Sequence, residues 1–243
     1  MSEADCDPLL SKAQEFAQDL SSTIAAFTGK DCEFTALVSE DLVQISESSG
    51  HGIALSVDEV THLTLIVAMQ CRWDSAGRYL AVEMSSFAVY PGTRTNKEPL
   101  FRYDYVREPH APIPCAHLQV HAHRDAFTHA LSSAGRNSRR GQRMSRRTPS
   151  DHPQLSDFHF PLGGPRFRPC VEDLLAALQD EFGLDAGAGW QSALAKGRAE
   201  WRRQQVGAAV RDAPAEAVRV LREMGYTVEG AEAAERFERL AQL

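Results

Sequence analysis

Apolar side chains recur over residues 7–28 at the three-and-four spacing of a helix, with Leu9, Ala13, Phe16, Leu20, Ile24 and Phe27 on one face. Gly29 and Asp31 end that segment. Three short runs follow at about 32–38, 42–46 and 52–57, separated by Ser/Glu/Asp and Ser-Ser-Gly turns, and each reads as a strand. The period is clearest in the next block. Residues 62–73 (LTLIVAMQCRW from Leu63) and 78–90 read as strands joined by the turn Asp74-Ser-Ala-Gly77, and 100–107 (LFRYDYVR) and 116–123 (AHLQVHAH) each alternate. Connections this short leave no room for crossover helices, so the strands form an antiparallel meander.

Beyond it the pattern turns helical. A short helix is expected at 124–133, an extended piece at 157–160 and helices at about 170–183, 188–211, 214–224 and 231–241. Pro214 suits a first helical turn and Gly225 the end of that helix. Trp190, Leu194, Trp201 and Ala208 share roughly one stripe of the longest helix, as core positions or a partner contact do. The fold class is therefore α+β: an antiparallel sheet with an N-terminal helix and a helical C-terminal region. Residues 1–183 form the sheet domain and 184–243 the helical part.

Composition adds three constraints. Hydrophobic residues are 43% and charged residues 24% of the 243, as in a globular domain, and no apolar run is long enough to span a bilayer. The acidic start, MSEADCDPLL, lacks the order of a signal peptide, so a cytoplasmic protein without a membrane partner is expected. Cys6, Cys32, Cys71, Cys115 and Cys170 have no C-x-x-C spacing and read as free structural thiols.

Charge is unevenly spread. The net −7 is concentrated in residues 1–61, which hold twelve acidic side chains and two lysines, whereas 126–150 lacks Asp and Glu entirely. Arg136, Arg139, Arg140, Arg143, Arg146 and Arg147 make 135–150 a basic, mobile loop suited to RNA, unless it is simply a solvated one.

Alternation in 116–123 sets Ala116, Leu118, Val120 and Ala122 on one face and His117, Gln119, His121 and His123 on the other. Three imidazoles in a row supply proton transfer near neutral pH. Arg102 and Asp104 share one face of the preceding strand, so Arg102 can hold a phosphate while Asp104, or Glu83 from further across, orients an imidazole. A solvated polar sheet face is the plainer reading. The rival chemistry is zinc or iron on His121 and His123, with His117, His159, Asp104 or Glu83 as a third ligand. The metal-free form is preferred, because no ligand sits at a fixed short spacing to complete the shell. In DFHFPLGGPRFRP, Arg166 and Arg168 flank Phe167 and could clamp a phosphate, or the loop anchors itself by docking Phe167. P-loop, dinucleotide, G-x-S-x-G and H-E-x-x-H motifs are missing.

From 62 to 183 the order of features resembles the TumE-like toxins of bacterial toxin–antitoxin modules: a meander, then FRYD (101–104), the row HLQVHAH (117–123), and EDLLAALQDEF (172–182). Where that family has Asn after the Asp, this chain has Tyr105, and 1–61 and 185–243 lie outside the resemblance. The resemblance implies a toxin-like domain acting on RNA and neutralised by an antitoxin-like partner; with the histidine row, the activity to expect is that of a ribonuclease or phosphodiesterase. The alternative is a non-enzymatic module that binds or regulates a protein.

Overall fold

A computed structural model describes residues 8–74, 77, 79–93, 95–96, 98–109, 113–121, 160–162 and 164–230. The expected helices at 124–133 and 231–241, the arginine loop 135–150, and Asp157 and His159 lie outside them.

Helix α1 (Pro8–Thr28) buries Leu9, Ala13, Ala17, Leu20, Ile24 and Phe27, the stripe read from the sequence with Ala17 in place of the half-buried Phe16. The strands are β1 (Phe34–Ser39), β2 (Leu42–Glu47), β3 (Ile53–Val57), β4 (Val60–Trp73), β5 (Leu80–Pro91), β6 (Phe101–Val106), β7 (Ala116–Val120) and β8 (Phe160–Pro161). They form one sheet in the order β1-β2-β4-β5-β6-β7-β8, with β3 beside β4, and every pairing is antiparallel. β4 is the spine. β5 runs along one of its edges, while β3 and β2 divide the other, β3 at Val60–Leu65 and β2 at Ala68–Cys71. The fold class is thus α+β with an antiparallel sheet, as the alternation predicts.

Alternation sorts the sheet into two faces. Leu63, Leu65, Val67, Met69 and Cys71 of β4, with Phe87 and Val89 of β5, are buried with α1 in one apolar core. After β8 come the short α2 (Gly164–Phe167), then α3 (Val171–Phe182) and α4 (Trp190–Asp212). Val171, Leu174, Leu175 and Leu178 of α3 and Leu194 of α4 belong to the same core, and Trp190 meets Phe27 edge-on at 5.8 Å. α5 (Pro214–Glu223) begins at Pro214, as its fixed φ favours, and buries no residue.

One expectation reverses at α2. Phe167 does not dock; it is 81% exposed, while Arg168 is 8% exposed. The Arg168 guanidinium stacks over Tyr105 of β6 at 3.8 Å and over Trp201 of α4 at 4.8 Å. A planar cation between two rings recovers by stacking what it loses in hydration, so arginine wins the interior here. Burial still pulls its pKa down, to about 10, and the guanidinium keeps its charge at neutral pH. Among the described residues no helix is long and apolar enough to cross a membrane.

Candidate functional site

The polar side of β6 and β7 brings together most of the residues singled out in the sequence. The register pairs Arg102 with Gln119 and Asp104 with His117, and β5 adds Ser86 opposite Asp104. Side chains on these paired positions meet on one face, away from the core. Asp104 is the hub. Its Oδ1 accepts the Ser86 hydroxyl at 2.7 Å, and its Oδ2 lies 2.7 Å from Arg102 Nε and 3.8 Å from His117 Nε2. Arg102 Nε also donates to Gln119 Oε1 at 2.6 Å. With Nε shared between two acceptors, the two terminal nitrogens of the fork have no partner among the described residues. The Arg102 side chain is 40% exposed, so an anion from solvent can reach it.

His117 is 2% exposed. Its Nδ1 lies 2.9 Å from the Pro114 carbonyl, which can only accept, so Nδ1 carries the proton in that contact and Nε2 is turned toward Asp104. A second imidazole, His121, stands four residues further on, just past the end of β7. His121 is anchored by its backbone N–H to the Leu100 carbonyl at 2.9 Å. Both of its ring nitrogens are shut off from solvent and make no hydrogen bond among the described residues. Burial lowers its pKa; Glu98 and Asp104 oppose that shift, Arg102 reinforces it, and the net direction is down. His121 is therefore a neutral imidazole at neutral pH. A buried polar nitrogen without a partner costs about 1–3 kcal/mol, and a catalytic role is one of the reasons a fold carries such a cost.

Other candidates fall elsewhere. Val82 pairs with Cys71 and Met84 with Gln70, which leaves Glu83 as the extra residue of a bulge. The bulge re-aims its side chain to Arg107, 3.2 Å away; burial raises the Cys71 thiol and the Glu83 charge adds to that shift. Glu83 thus takes no part in the histidine cluster. Arg166 is bound to Asp212 through Nε at 2.6 Å and Nη2 at 3.2 Å, and Arg168 is held in its stack, so neither is arranged as a phosphate clamp. His123 and Arg136, Arg139, Arg140, Arg143, Arg146 and Arg147 lie outside the described residues. Among the described residues no three His, Cys, Asp or Glu side chains are grouped as a metal centre requires. Gln119 and Ser86, which complete the network, carry no motif; Gln119 was visible only as a member of the alternating row, and Ser86 depends on β5–β6 register.

Comparison with models of protein families, with curated proteins and with solved structures found no match to the chain.

Proposed function

We propose that the polar face of β6 and β7 acts on RNA, with Arg102 holding a phosphate and His121 taking a proton. One observation carries the reading. His121, neutral and with no hydrogen bond to its ring nitrogens among the described residues, lies within the field of Arg102, whose terminal nitrogens make no hydrogen bond to a described residue. RNA needs little more for cleavage, because its 2′-hydroxyl is an internal nucleophile. His121 would remove the 2′ proton as the 2′ oxygen bonds to phosphorus. The bond to the 5′ oxygen then breaks, and that oxygen takes a proton from water or from another imidazole of the row. Arg102 would offset the charge on the phosphoryl oxygens. Asp104, Gln119 and His117 are positioning residues that fix the guanidinium. Since the His121 nitrogens are enclosed, a substrate must open that enclosure to reach them.

The resemblance of 62–183 to TumE-like toxins supports the same reading and adds an antitoxin-like partner. Val206, Val210, Leu221 and Met224 are exposed on and beside α4 and α5 and offer such a partner an apolar surface.

The test is cleavage of a mixed-sequence RNA by purified protein, with and without a chelator. We expect cleavage that survives chelation and falls by about two to four orders of magnitude in His121→Ala. Arg102→Ala should lose a comparable share while far-UV circular dichroism stays native. Intact RNA after prolonged incubation with wild-type protein, or full activity in His121→Ala, would remove this reading.

A further inference from the structure

A cavity of about 310 Å³ opens where the end of α1, strand β3 with its turn into β4, and the loop after α3 meet; it is lined by Thr28, Lys30, Ala54, Ser56, Glu59 and Asp185. None of these residues belongs to the β6–β7 face. The walls are tied together. The Asp185 N–H donates to the Ser56 carbonyl at 2.7 Å, and its carboxylate accepts the N–H groups of Asp58 at 3.0 Å and Glu59 at 2.7 Å. The Gly187 N–H caps the Phe27 carbonyl at 2.8 Å. The cavity is therefore a fixed feature of the junction, of a size at the lower end of small-molecule sites, about 300 Å³ and upward.

Its chemistry is dipolar. Lys30 and Glu59 are both exposed, and neither side chain has an ion-pair partner among the described residues. The end of α1 and Asp185 add negative character on the Glu59 side of the balance. Ser56 sits at a register shift between β3 and β4, is 4% exposed, and its hydroxyl has no hydrogen-bond partner among the described residues. A buried hydroxyl without a partner is costly, and a polar ligand beside it would relieve that cost after a turn about one side-chain bond.

We propose that this cavity binds a free amino acid. Its carboxylate would pair with Lys30 and its ammonium with Glu59, and Ser56 would supply a neutral hydrogen bond. The cavity's volume suits a molecule of this size, and the pair of opposite charges disfavours a simple anion or cation.

The experiment is calorimetric titration of the full chain with each of the twenty L-amino acids at millimolar concentration, supported by thermal unfolding. We expect at least one to bind and raise the Tm. Lys30→Gln and Glu59→Gln, both surface substitutions that leave the core untouched, should each weaken binding by at least about tenfold, the loss of one charge-assisted hydrogen bond. Ser56→Ala should raise the Tm of the ligand-free protein, by removing the unpaired hydroxyl, and shrink the shift on adding ligand. His121→Ala should bind the amino acid as wild type does, which separates this site from the RNA reading. No binding by any of the twenty, or unchanged affinity in both charge variants, overturns the proposal.

Discussion

His117 lies within β7 and His121 one residue past its end, and their surroundings divide their roles. His117 is pinned between a carbonyl and a carboxylate, while the two ring nitrogens of His121 are shut off from solvent and make no hydrogen bond among the described residues. The consequence is a pH signature. The folded-state pKa of His121 lies below its ordinary 6.5. As pH falls through 6.5 the unfolded chain takes up this proton first, so stability is unaffected well above that value. It then declines below it, and levels off only beneath the folded-state midpoint. We expect the His121 ring resonance, followed by NMR, to titrate below 6.5. In His121→Leu, urea unfolding from about pH 8 to about pH 5 should show a shallower loss of stability than wild type. A midpoint at or above 6.5, or identical slopes in the two proteins, would contradict the burial argument.

Among the elements, the strands were the most legible part of the sequence and their register the least. Period-two alternation in 101–106 and 116–121 is a local property, so Arg102 with Asp104, and His117 with His121, could be put on common faces by inspection. Which residue faces which depends on the connection at 107–115 and on the bond from His117 to Pro114, and neither is written in a short window. Glu83 was lost to a bulge that no residue type announces. Phe167 and Arg168 were exchanged because hydrophobicity alone ranks phenylalanine inside, whereas Tyr105 and Trp201, distant in sequence, build a slot that only a flat cation fills. The loop after α3 was equally silent, although it ties three elements. A Cβ on Gly187 would lie 2.7 Å from the Ala26 carbonyl oxygen and 3.0 Å from Gly29 Cα, both backbone atoms that cannot move aside. Gly187→Ala should therefore push this loop off the end of α1 and cost about 1–3 kcal/mol in denaturant unfolding, the usual cost of overpacking. Gly189→Ala, next to the same loop, meets nothing within 4 Å but has φ of 77°, so it isolates backbone strain from collision. Equal losses in the two variants would show that the close approach matters little.

At the scale of the whole molecule, a sequence boundary near 183 separates a sheet-rich part from a helical one, but the apolar core does not respect it. Leu184 and Leu194, both beyond that point, are buried with Phe27, Ile24 and the inner face of β4. Trp190 closes over Phe27, and Asp185 satisfies two N–H groups of the tight turn at Asp58 and Glu59, whose φ angles of 50° and 65° need support. Arg198 adds a pair to Asp173 at 2.7 Å, so α4 also holds α3 in place. Losing a buried leucine side chain costs about 2–5 kcal/mol. Removing two of them together with the turn's acceptor and the tryptophan contact is comparable with the whole stability of a domain, about 5–15 kcal/mol. A fragment of residues 1–183 should therefore fail to fold by itself. It should show broad, non-cooperative thermal unfolding and bind a hydrophobic dye, whereas Leu194→Ala in the full chain should retain a single transition at lower denaturant. A sharp transition in the fragment, with native-like circular dichroism, would mean that the sheet and α1 carry a sufficient core of their own, and that α4 is an addition to a finished domain.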